Sequence, residues 1–80
     1  MTDYKLEQIW QEDTVILTSS EYGRQIWCKC ILRKNNICEL TNIKLIKGNK
    51  AYRPITNGYN RMHRISEIAM KSICKIANKS

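Results

Sequence analysis

Four cysteines, Cys28, Cys30, Cys38 and Cys74, and one histidine, His63, carry the strongest intrinsic chemistry in this 80-residue chain. Together they could supply the ligands for one tetrahedral zinc. Their spacing argues against it. Structural zinc is usually gripped by two cysteines of one knuckle, a C-x-x-C or slightly wider pair. Cys28 and Cys30 are instead separated by one residue in a strand-like run, which points both thiols to the same face. Cys38 has Thr41 where a knuckle would place its second cysteine. The simpler reading is that the cysteines are small core hydrophobes, with a zinc-stabilised domain as the alternative. Disulfides are not expected, because the chain reads as cytoplasmic and its thiols as reduced. On a shared helix Cys74 and His63 would lie about 16 Å apart, too far for a nucleophile–base pair. No glycine-rich phosphate loop or paired-carboxylate motif occurs. The expectation is a non-enzymatic protein with no cofactor.

The second chemistry is electrostatic. The formal net charge is +7, and it is segregated. Residues 1–22 set Lys5 against Asp3, Glu7, Glu12, Asp13 and Glu21, a net of −4, whereas residues 23–80 set thirteen Lys and Arg against Glu39 and Glu67, a net of +11. Such a body favours an anionic partner. Trp27, Lys29 and Arg33 alternate along one strand face with Lys34 beyond them; Lys44, Lys47, Lys50, Tyr52 and Arg53 follow, then Arg61 and Arg64. Cations interleaved with aromatics are what phosphate contact and base stacking need. These eleven residues form the expected nucleic-acid-binding set, with Trp27 or Tyr52 as the stacking group. The functional expectation is a small basic binding protein acting on nucleic acid in a regulatory, DNA-binding role. The alternative is a protein-interaction module or inhibitor for an acidic protein, possibly a homodimer. The anionic partner and the solvated basic surface stay open at this point. No apolar run is long enough to cross a membrane, and residues 1–10 show neither a basic nor an apolar leader pattern, so a cytoplasmic protein with no membrane partner is the expectation.

The elements that must position these groups read as one small domain, residues 1–80. At 42 % apolar and 26 % charged, the composition is globular rather than disordered. Residues 4–11 are ambiguous between a strand and a helical turn. Residues 14–19 are β-branched and predict a strand. Residues 24–33 alternate, with Ile26, Cys28, Cys30 and Leu32 on one face and Gln25, Trp27, Lys29, Ile31 and Arg33 on the other. The wholly apolar first face is the expected core face; the second either binds or lies beneath a helix. A short strand over 37–40 follows. Residues 43–46 and 51–55 predict a hairpin with Gly48-Asn49 at its tip, and Pro54 marks an edge or a strand end. After a loop at 56–59, Asn60 is the expected N-cap of a helix over about 61–77. Its apolar stripe is Met62, Ile65, Ile68/Ala69, Ile73 and Ile76/Ala77. The expected fold is α+β, mainly β: a small antiparallel sheet or partly open barrel of four to five strands, strand-rich over 4–55, with one C-terminal amphipathic helix. Twelve Ile and seven Asn, residues with AT-rich codons, weakly suggest a bacterial, mobile-element origin.

Tyr22-Gly23 followed by Trp27, then Cys38, Leu40-Thr41, Leu45, Gly48, Ala51 and Tyr52-Arg53-Pro54, reproduces a spaced pattern, Y-G-x-x-x-W then C-x-L-(S/T)-x-x-x-(I/L)-x-x-G-x-x-x-Y-R-P. Asn60-Arg61-Met62 matches part of a further N-R-x-x-R-M stretch. In these features, across residues 12–66, the chain resembles the small proteobacterial proteins of domain of unknown function family 3331. At Asn42 and Asn49, two positions left open in that pattern, the family usually has Gly and Asp, yet Asn tolerates positive φ or caps a turn, so the backbone can survive. The resemblance implies a shared fold. It brings no established activity and only one motif cysteine, Cys38, rather than a ligand set.

Overall fold

The computed structural model describes residues 3–55 and 58–78. Seven strands and one helix occur in the order β1 (Lys5–Gln11), β2 (Thr14–Ser19), β3 (Gly23–Ile31), β4 (Asn36–Ile37), β5 (Lys44–Leu45), β6 (Lys50–Pro54), β7 (Ile65–Ser66) and α1 (Glu67–Asn78). Five strands form an antiparallel sheet in the order β1-β2-β3-β6-β7, while β4 and β5 pair in a small ribbon of their own. The chain is thus mainly β with one C-terminal helix, as composition and pattern predict. No helix among the described residues is long and apolar enough to cross a membrane.

Residues 14–19 form the predicted strand, and the 4–11 ambiguity resolves as the edge strand β1. Two register shifts interrupt its pairing with β2, and most of its side chains are exposed. Irregular, exposed edges of this kind resist pairing with other chains.

Within β3 the better-buried face is the reverse of the sequence expectation at Gln25–Cys30, although Leu32, just beyond the strand, is buried as expected and Ile31 is exposed. Val15 and Leu17 on β2 sit opposite Trp27 and Gln25, and it is this face that is buried. Trp27 is 0 % exposed at the centre of a core that also holds Tyr4, Leu32, Cys38, Leu45, Ala51, Tyr52, Ile65 and Met70. Ile26, Cys28 and Cys30 are only half-buried. An indole is among the largest apolar surfaces a chain can bury. Its polar neighbours on that face do not prevent burial, because each has a partner: Gln25 has Asn60, and Lys29 has Glu67.

The expected β5–β6 hairpin forms its turn but not its ladder. Gly48 takes φ 97° and Asn49 donates its N–H to Ile46 O at 2.9 Å, yet β6 pairs with β3 and β5 with β4. The nine-residue β3 offers β6 five paired positions, Trp27↔Pro54 to Ile31↔Lys50, where the two-residue β5 could offer only a stub. Asn42, replacing glycine in the family-like pattern, adopts φ 61°, a region Asn tolerates better than most residues. The predicted strand over 37–40 shrinks to β4.

The helix begins at Glu67 rather than near 61. The Asn60 side chain is committed elsewhere, residues 59–62 form turns, and Ile65 is drawn into β7 opposite Tyr52. Ser66 caps the helix instead, its Oγ accepting the Ala69 N–H at 3.1 Å. Ala69 and Met70 face the core, whereas Ile68 and Met62 from the expected stripe are exposed. The loop residues Thr56 and Asn57 and the Ile76 and Ala77 side chains of that stripe lie outside the described residues.

Candidate polyanion-binding cleft

A cleft of about 1270 Å³ opens beyond the end of β3. Its walls are the last residues of β3 and those just after it, the start of β4, the turn between β5 and β6, and Arg53 of β6. Six cations line it: Lys29, Arg33, Lys34, Lys47, Arg53 and Arg64. The sheet explains the convergence. Arg53 lies opposite Cys28, Lys29 opposite Tyr52, and the Gly48 N–H donates to Leu32 O at 2.9 Å, so the turn bearing Lys47 folds against the exit of β3 that carries Arg33 and Lys34.

The cations fall into two groups. Lys29 is neutralised: its Nζ lies 2.7 Å from Glu67 Oε2 and 3.4 Å from Asp13 Oδ1. The hydrogen bond to Glu67 is the main reason its ammonium is held above the usual lysine range and the Glu67 carboxyl below the usual carboxylate range. The other five have no carboxylate partner among the described residues. Arg64 is braced by carbonyls, its Nη1 donating to Arg61 O at 2.9 Å and His63 O at 2.7 Å. Five like charges on one concave surface repel one another, and an anion that enters relieves that repulsion.

The eleven residues expected to bind nucleic acid are therefore split. The six cleft cations come together. Lys44 and Lys50 instead edge a separate groove between β5 and α1, and Arg61 is exposed outside both. The two stacking candidates are corrected: Trp27 is 0 % exposed and Tyr52 6 %, so neither can stack on a base. The sequence pattern also missed Cys30, Leu32 and Gly48 in the cleft lining. Gly48 in a Lys-Gly-Asn-Lys turn was the available signal.

A second polar constellation lies at the other end of β3. Asn60 is 0 % exposed; its Nδ2 donates to Gln25 Oε1 at 2.7 Å and to Tyr4 Oη at 2.8 Å, and its Oδ1 accepts from Gln25 Nε2 at 3.0 Å. Tyr4 Oη is 2.8 Å from His63 Nδ1. On its other side the His63 ring turns Nε2 toward Glu39 Oε1 at 3.8 Å. Burial pushes the Tyr4 phenol up to about 12. Tyr4 meets Trp27 edge-on with ring centroids 4.8 Å apart, so this network props the central indole. Gly58 packs close to this network: a Cβ there would stand 3.2 Å from Asn60 Oδ1. His63 is thus a packed network member rather than the solvated helix residue its sequence context suggests.

Cys38 is buried, as expected for a core thiol. Burial alone would raise its pKa, but hydrogen bonds from the Ser66 N–H, the Thr41 hydroxyl and the Leu40 and Thr41 N–H groups outweigh that and hold it below the ordinary thiol value. Thr41, in the place of a second knuckle cysteine, donates to the sulfur. Among the described residues no three His, Cys, Asp or Glu side chains gather where they could hold a metal ion. The chain matches no family model, no curated protein and no solved structure.

Proposed function

We propose that this protein binds nucleic acid through its phosphate backbone at the basic cleft, in a regulatory rather than catalytic role. The observation that carries the reading is the convergence of Arg33, Lys34, Lys47, Arg53 and Arg64 on one concave surface with no described carboxylate to neutralise them. Each phosphate held by such a cation releases a condensed counterion, so affinity must fall with salt. Fluorescence anisotropy of a labelled mixed-sequence duplex across a salt series tests it. Five contacts predict a log–log slope of about −4.5 on duplex DNA. Absence of binding, or a slope near zero, overturns the reading.

One observation favours a second mode. A groove of about 530 Å³ between β5 and α1 is lined by Leu40, Ile43, Ile68 and Ile73 and edged by Lys44 and Lys50. Ile43 is 63 % and Ile68 78 % exposed. An apolar floor with a cationic rim suits an acidic segment of another protein. A partner protein retained after nuclease treatment and lost on Ile43→Glu marks this mode; a nucleic acid lost on Arg53→Gln marks the first.

A further inference from the structure

The cleft's lining also bears on which form of nucleic acid it would take, an inference that rests on the phosphate-binding reading above. Proteins that hold single strands combine cations with aromatic side chains on which successive bases stack, each stack contributing about 1–3 kcal/mol. Among the described residues, no aromatic side chain lines this cleft. Trp27 and Tyr52, nearest in sequence, are buried. The exposed aromatics are Trp10 and Tyr59, at 52 % and 100 %. Tyr59 adjoins Asn60, which bonds Gln25, and Gln25 precedes Ile31 by six residues on β3, so the two ends stand roughly 20 Å apart at ~3.3 Å per residue. Trp10 lies on β1, two strands away from β3.

Reading of an adenine edge by a side-chain amide likewise has no free group here. The cleft's only side-chain amide, Asn36, already accepts the Ile37 N–H at 2.8 Å and donates toward Met62 O at 3.4 Å. What is left is a dense set of positive charges, of which Arg33, Arg53 and Arg64 present guanidinium forks suited to phosphate oxygens. A duplex presents one negative charge per about 1.7 Å of axis, a denser array than a flexible single strand. We infer that the cleft selects double-stranded nucleic acid, gripping its phosphates without stacking and without reading sequence.

The experiment compares the intact protein with a duplex of about 20 base pairs, roughly twice what its 34 Å long axis spans at about 3.4 Å per pair, and with single-stranded oligonucleotides of equal length, homopolymeric and mixed. DNA and RNA duplexes are separate arms that distinguish the two helical forms. Duplexes of unrelated sequence should bind alike and at least about tenfold tighter than any single strand at matched salt. Tryptophan emission should not change on binding, since Trp27 is buried and Trp10 is not part of the cleft lining. Single strands binding as tightly as duplex, or quenching tryptophan, would overturn this inference and leave phosphate binding intact. Failure of every probe to bind would overturn both. Arg33→Ala combined with Lys34→Ala, with circular dichroism confirming the fold, should weaken duplex binding for all sequences equally; a sequence-dependent loss also refutes it.

Discussion

Replacing Tyr4 with Phe should change how stability depends on alkaline pH. The Tyr4 phenol is 6 % exposed, accepts from Asn60, lies in hydrogen-bond contact with His63 Nδ1, and has its pKa raised to about 12 from the ordinary 10.0. For a group whose folded pKa is raised, the associated stability is fully present below the unfolded pKa and lost as pH rises through the folded value. Below pH 10 the phenol is neutral in both states; between about 10 and 12 the unfolded chain ionises while the folded chain does not. At about pH 11 the loss is about 1.4 kcal/mol, and the limit above 12 is about 2.7 kcal/mol. Tyr4→Phe deletes the titrating group but also its hydrogen bonds, which costs about 1–2 kcal/mol at neutral pH. The gap between the two proteins in urea unfolding, followed by Trp27 fluorescence, should therefore narrow by about 1.4 kcal/mol from about pH 8 to about pH 11. Tyr22 and Tyr52, also raised by burial, steepen both curves alike and cancel in the difference. A gap that stays constant across that range would show that Tyr4 ionises as freely in the folded chain as in the unfolded one.

Asn60→Leu removes three buried side-chain hydrogen bonds to Gln25 and Tyr4 and should cost about 2–4 kcal/mol in chemical denaturation; a loss comparable to a surface substitution would show the network is dispensable. Arg53→Gln should reduce the salt-dependence slope of duplex binding by about 0.9 and weaken all sequences alike, read by anisotropy. Glu67 has a depressed pKa, set chiefly by its hydrogen bond to Lys29, so its stabilisation exists above the unfolded value of 4.5 and is lost as pH falls through the folded value. Glu67→Gln should accordingly flatten the acid limb of a thermal-midpoint profile; an unchanged limb would remove the Lys29–Glu67 pair from the account.

Much of the architecture was legible because short β-branched runs and polar turns repeat down the chain: residues 14–19 and the turn at Gly48 read directly. Strand partners were not. Local pattern favours the neighbour in sequence, yet β6 bypasses β5 for the longer β3. Nor was the buried face of β3 legible, because alternation shows two faces without weighing them. That decision depends on Asn60 and Glu67 arriving from 35 and 38 residues away to satisfy Gln25 and Lys29. The helix start failed for a related reason. Asn60 has the chemistry of a cap, but a buried partner, Gln25, 35 residues away in sequence, claims its amide first. Of the site, the cations were readable as charges and their convergence was not, since that follows from β3–β6 pairing.

The acidic head raises the last question, whether residues 1–22 would simply fill the basic cleft. The contacts argue that they do not. Glu7 pairs with Arg24 at 3.1 Å, Asp13 with Lys29 at 3.4 Å, and Asp3 accepts from Ser20 Oγ at 2.9 Å, all within the β1–β2–β3 meander or its flanks. Antiparallel register fixes these partners: Asp13 in the β1–β2 turn accepts the Lys29 backbone N–H at 2.9 Å, which brings its carboxylate to Lys29 and holds it there. Lys29 is the one cleft cation within this reach, and it is the one that is neutralised. The pairing that builds the sheet therefore tethers Asp3, Glu7 and Asp13 on the meander, while the exit of β3 and the β5–β6 turn carry Arg33, Lys34 and Lys47 past it. Charge segregation along the sequence becomes charge segregation in space, which is the condition an anion-binding cleft requires.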